Sequence, residues 1–221
     1  MDLIIILISL IITISAQIFV KSTYNKYKKD SIKSNLSGFE VAKKILDKYG
    51  YSDIYVVETP GVLTDHFDPR RNTVRLSSEV FHGTSISAAS IAAHEVGHVI
   101  QHKQGYTFIK IRSMLIPLVN FSSSASYIMI LISLLTGMLD LLYLGIALLV
   151  IMLIFQLITL PVEFDASKRA KIELRKLKIL NNNEIKKSKN VLTSAAITYV
   201  ASVLTAILNI LRLLLIARND E

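Results

Sequence analysis

The chain has 221 residues, room for one or two domains; 52% of them are hydrophobic and its mean hydropathy is +0.48, too apolar for an ordinary soluble domain and indicative of membrane spans. It contains no cysteine, which excludes disulfides and any thiolate metal site. The formal net charge is +8, and 23 of the 25 Lys and Arg fall in segments 21–113 and 164–190 beside apolar runs, with no nucleic-acid motif, so no nucleic-acid partner is implied.

Residues 3–20 form an uncharged run of 18 residues, long enough to span a bilayer. Asp2 replaces the basic start of a signal peptide, and Lys21, Lys26, Lys28 and Lys29 follow the run, so an uncleaved anchor with its N-terminus outside is expected. Ser37 and Glu40 have the spacing of a capping box and open a predicted helix over 37–49, with Val41, Ile45 and Leu46 on one face and Gly50 as its stop. Ile54 to Glu58 reads as a strand. Residues 61–64 and 73–76 read as two short strands joined by the turn-rich link 65–72, in which Asp65 and Asp68 act as caps. An edge strand at 73–76 would suit alignment of an extended peptide.

A helix predicted from near Thr84 to Gly105 carries His94, Glu95 and His98 in the pattern H-E-x-x-H. Positions i and i+4 of a helix point the same way, so two imidazoles can grip one zinc ion while Glu95 stands beside them as a base. Ala88, Ala89, Ala92 and Ala93 give this helix a small-residue surface for close packing.

Residues 114–136 and 139–162 are two further apolar runs joined by Gly137 and Met138, a helical hairpin with Asp140 at its tip; Pro117, Asn120 and Ser122 to Ser124 suggest that the first of them faces protein on one side. Residues 191–217 form the fourth run, with Arg212 near its end. The distribution of Lys and Arg places 21–113 and 164–190 in the cytoplasm, and residues 1–2, 137–140 and 218–221 outside. The expected organisation is therefore an α-helical membrane protein with about four transmembrane helices (3–20, 114–136, 139–162 and 191–217), a small α+β zincin-like cytoplasmic catalytic domain over 21–113, and a cytoplasmic helix over 163–190. Lys-rich positions beside the bilayer would attract anionic lipids.

Catalytic zinc usually takes three protein ligands. His102 lies eight residues beyond His94, about 12 Å of helix rise, too far to share one ion. Asp140 is expected on the opposite side of the bilayer. Glu163 returns to the expected cytoplasmic side, where Pro161 suits the first turn of a new helix segment and Ala166 and Ala170 share its face. Glu163 is therefore the favoured third ligand; its plainer alternative is a carboxylate at a helix start.

The segments 63–83 (LTDHFDPRRNTVRLSSEVFHG), 92–101 (AAHEVGHVIQ) and 161–170 (PVEFDASKRA) together resemble the YugP-type neutral zinc metallopeptidases of bacterial membranes, a gluzincin-like group distantly similar to the HtpX and CAAX-processing membrane proteases. The resemblance spans nearly the whole chain. It implies zinc held by His94, His98 and Glu163, and Glu95 as the catalytic base. The distant relatives carry Asp four residues after the ligand Glu, where this chain has Ser167, with Asp165 two residues after. His66, His82 and Tyr199 are accessory candidates by residue type. The expected function is a membrane-embedded zinc metalloendopeptidase that hydrolyses membrane or membrane-near proteins through zinc-activated water. An intramembrane, site-2-like protease and a non-enzymatic membrane scaffold are the alternatives.

Overall fold

A computed structural model describes residues 2–219; the outer-side expectation for Met1, Asp220 and Glu221 lies outside them. The order is α1 (Asp2–Lys28), α2 (Gly38–Lys48), β1 (Tyr55–Thr59), β2 (His66–Asp68), β3 (Thr73–Ser77), α3 (Ser78–His82), α4 (Ile86–Lys103), α5 (Thr107–Thr136), α6 (Leu139–Lys176) and α7 (Asn182–Asn219). Among the described residues, four helices (α1, α5, α6 and α7) are long and apolar enough to cross a membrane. The chain divides into two compact units, one of residues 1–17, 107–161 and 197–221, the other of residues 18–106 and 162–196.

Among the described residues the first unit is helical apart from the turn at 137–138. Gly137, at φ +72°, turns α5 into α6, and Ser133 Oγ donates to the Met138 carbonyl at 2.9 Å to close the turn. A Cβ on Gly145 of α6 would stand 2.6 Å from Ile130 of α5, so the two helices meet where a side chain is missing. The buried residues of α5 include Ser122, Ser126 and Ser133, small enough for such contact. Leu142, Ile146 and Leu149 of α6 pack with Ile210, Leu213 and Ala217 of α7.

The second unit is α+β. Ser37 and Glu40 form the expected capping box on α2, and Val41, Ile45 and Leu46 are buried. The sheet order is β1-β3-β2, with β1 parallel to β3 (Tyr55 opposite Thr73) and β2 antiparallel to it (His66 opposite Arg75). Strand 73–77 is therefore central, not the edge expected of it: Val74 and Leu76 are fully buried, and the free edges belong to β1 and β2. Residues 61–64 form no strand. Gly61 and Leu63 take positive φ (+105° and +56°) and Thr64 Oγ1 bonds back to the Pro60 carbonyl, a tight loop incompatible with extended pairing. The second pairing strand lies instead at His66–Asp68, inside the link read as a turn. The turn proper is Pro69–Asn72, where Asp68 Oδ1 accepts from the Arg70 and Arg71 amides.

Helix α4 runs through the centre of this unit. Ser85 is its N-cap, Gly105 ends it at φ +68°, and Ala88, Ala89, Ala92, Ala93, Val96, Val99 and Ile100 are all buried. Ser87 and Ser90 are fully buried too, with their hydroxyls bonded to the Tyr24 carbonyl and to Ser188.

A second difference concerns α6. Pro161 does not begin a new segment; it lies inside one continuous helix. A proline there removes one backbone bond, to the Leu157 carbonyl, a defect of about 3 kcal/mol that packing must offset. The residues on either side, Thr159, Val162 and Glu163, are buried, and that packing carries the helix through. Glu163 is thus a mid-helix residue, and a helix-start dipole gives no reason for a carboxylate there.

Candidate metal centre

All the groups of this centre belong to the second unit. One turn of α4 puts the His94 and His98 rings on the same face, 4.8 Å apart between centroids and nearly perpendicular at 83°. Glu163, 3% exposed, comes from α6. Its Oε2 lies 3.2 Å from His94 Nε2 and 3.6 Å from His98 Nε2. Among the described residues these three form the group that could hold a metal ion, one ligand atom from each lying within 4.8 Å of the others.

The close approach of α4 and α6 has a local cause. A Cβ on Gly97 would stand 2.7 Å from the Ala166 carbonyl oxygen, so only glycine allows these backbones to meet. Ala166 and Ala170 are buried against the same seam.

Both imidazoles are oriented from behind. Ser167 Oγ lies 3.2 Å from His94 Nδ1, and Gln101 Oε1 lies 3.0 Å from His98 Nδ1. Gln101 is fully buried, and its Nε2 donates to the Val162 carbonyl at 2.7 Å and to Asp165 Oδ2 at 2.9 Å. Those two acceptors fix the amide's orientation, so its oxygen faces His98 and accepts a hydrogen bond from Nδ1–H. His98 therefore carries a proton on Nδ1, and Nε2 is the nitrogen on the Glu163 side, the one left to ligate a metal once it has lost its own proton. Asp165 is held in turn by Arg169, whose Nη1 also donates to Gln104. Ser167 and Asp165 thus share the support of the two rings, one directly and one through Gln101.

The donor set fits zinc. Two imidazole nitrogens and one carboxylate oxygen match the ligand types of a catalytic site, and tetrahedral bonds of ~2.0–2.1 Å would separate ligand atoms by about 3.4 Å, bracketed by the two contacts to Glu163.

Glu95 is buried beside the rings; burial pushes its carboxyl above the ordinary value of 4.5, opposed by His94 and His98 and reinforced by Glu163 and Asp65. Burial pulls His98 down, but the hydrogen bond and charge of Glu163 outweigh it, and the ring ends above 6.5. Asp65 enters this field from the end of the 61–65 loop, where it accepts from the Ser77 amide and hydroxyl at 2.8 and 3.1 Å. Gln101 and Asp65 carry no spacing signature: a glutamine three residues after a histidine and an aspartate in a turn-rich link are both ordinary in sequence.

The other sequence candidates lie elsewhere. His66 is exposed, with Nδ1 2.8 Å from the Thr64 carbonyl. His82 is exposed and lies 3.1 Å from Glu58. His102 sets its ring edge-on to Phe67. Tyr199 of α7 and Asp140, in the first turn of α6, belong to the first unit.

The family model described as "Putative neutral zinc metallopeptidase" matches residues 2–218. The chain belongs to that family. It is also 45% identical over 206 residues to the "Putative membrane protease YugP" of Bacillus subtilis (strain 168), covering 93% of this chain and 92% of that protein. No solved structure matches. The family's metal is zinc, and the His94, His98 and Glu163 group is a chemically suitable place for it.

Proposed function

We propose that this chain is a membrane-anchored zinc endopeptidase cutting membrane or membrane-near proteins, with His94, His98 and Glu163 as the metal ligands and Glu95 as the general base. The observation that carries the reading is the convergence of three ligand atoms within 4.8 Å, backed by partners on the far nitrogen of each imidazole. When bound, zinc supplies a Lewis acid that activates water and polarises a scissile carbonyl.

The chain's own groups supply the rest. Glu163 brings the negative charge that offsets the cation. Gln101 and Ser167 hold the rings in the ligating orientation. Glu95 is a buried carboxyl with raised proton affinity, suited to accept a proton from the attacking water and return it to the departing amine. On the same reading, segments 21–113 and 163–190 form the catalytic part in the cytoplasm, and the runs 3–20, 114–136, 139–162 and 191–217 cross the membrane with the N-terminus outside.

Glu95→Gln tests the assignment. It should leave zinc content at the wild-type level and lower peptide-bond hydrolysis by about 10²–10⁴-fold, the usual contribution of a positioned base. Metal analysis beside a proteome-wide map of new N-termini reads both; unchanged cleavage would remove Glu95 from the mechanism.

A further inference from the structure

The first unit holds a crevice of about 480 Å³ with an unusual lining for a bundle of apolar helices. Ser202, Thr205, Asn209 and Arg212 of α7 line it at spacings of 3, 4 and 3, one continuous helix face, and Gln156 of α6 joins them. Arg212 Nε and Gln156 Oε1 are both buried and meet no hydrogen-bond partner among the described residues. Among the described residues no acidic side chain lines the crevice.

A guanidinium in such a place is costly unless an anion or a strong acceptor meets it. The nearby hydroxyls do not. Thr13, Ser202 and Thr205 donate to carbonyls of their own helices, so they offer oxygen lone pairs but no charge. Arg212 lies five residues before Ala217, the last residue of the apolar run, about 8 Å of helix rise. Its backbone therefore sits inside the apolar run, close enough to the end for a long cationic side chain to extend toward the headgroups. Ile6 and Met152 add apolar wall along the same crevice.

We propose that this crevice binds the phosphodiester headgroup of an anionic phospholipid, with Arg212 as the anchoring cation and the apolar wall against its acyl chain. The site differs from general attraction of headgroups to surface lysines, because one buried, directional donor selects the ligand.

The test uses the full chain, purified in neutral detergent and stripped of lipid. Native mass spectrometry would compare dioleoyl phosphatidylglycerol with dioleoyl phosphatidylcholine. Wild type should retain one phosphatidylglycerol with about tenfold preference. Arg212→Gln should reduce that to the phosphatidylcholine level, Arg212→Lys should keep part of it, and Lys186→Gln with Lys189→Gln, two lysines of the second unit that do not line the crevice, should change nothing. Inorganic phosphate that fails to compete identifies the lipid as the ligand; phosphate that displaces the lipid identifies the free anion and overturns the acyl contribution. Equal retention of the two lipids by wild type, or full preference in Arg212→Gln, overturns the site. Ala206→Phe fills the crevice without touching charge and should also abolish the preference, so the test survives if Arg212→Gln does not fold.

Discussion

The two units differ in the buried polar groups they leave without an internal complement. Around the metal centre several buried polar side chains have found complements: Gln101 uses its oxygen and its nitrogen, Glu163 meets two imidazoles, and Ser87 and Ser90 have partners. Among the long helices, Ser122, Gln156 and Arg212 each bury a polar atom that no described residue satisfies. The first pattern belongs to a cradle complete before its ligand arrives. The second belongs to a surface whose complement comes from outside the chain.

The contrast can be broken at its strongest point. Glu163→Ala should lower zinc affinity by more than the ~10–100-fold typical of losing an outer-shell contact, and metal content after dialysis against a weak chelator reads this directly. Retained zinc would show that the third ligand lies elsewhere. Gln101→Leu should come next, costing about 10–100-fold in zinc affinity, because His98 loses the acceptor that fixes its tautomer. Gly97→Ala should destabilise the second unit by about 1–3 kcal/mol, read from the denaturation midpoint, since the new methyl meets backbone rather than a movable side chain.

How far this was legible beforehand differs between the units as well. His94 and His98 stand out because ligation of one ion demands a type and a spacing, Glu163 only through the expected topology and the family resemblance, and the candidate spans because length and hydropathy suffice. Gln101 was invisible, since its role depends on which residues of α6 lie behind α4. The strand at His66–Asp68 was hidden by the turn formers around it, and the positive φ of Leu63 ruled out pairing in a segment whose composition favoured it. The central place of β3 follows from a parallel crossover between β1 and β3, which no local pattern announces. Pro161 misled because proline's preference for helix starts is local, whereas burial on either side of it is not.

A pH comparison sharpens the contrast further. In the zinc-free protein, the raised folded-state value of His98 contributes stability that is complete below the unfolded value of 6.5 and is lost as pH rises through the folded value. Zinc binding should strengthen over the same interval, because the metal displaces that proton. Melting temperatures with and without zinc at about pH 6 and about pH 8.5 should therefore diverge as pH rises; parallel curves would deny the coupling. The smallest effect is expected at Arg212. Arg212→Leu in lipid-free detergent should leave stability unchanged or raise it by about 1 kcal/mol, since no partner among the described residues is lost, and a clear loss would reveal one.

Gln101 clasps His98 with one end of its amide and the peptide just before Glu163 with the other. A single planar group thus makes two ligands from distant parts of the chain behave as one rigid jaw. Exchange of one divalent ion for another of similar size should then proceed without refolding of the jaw, its speed governed by how the ion escapes and not by how the protein rearranges.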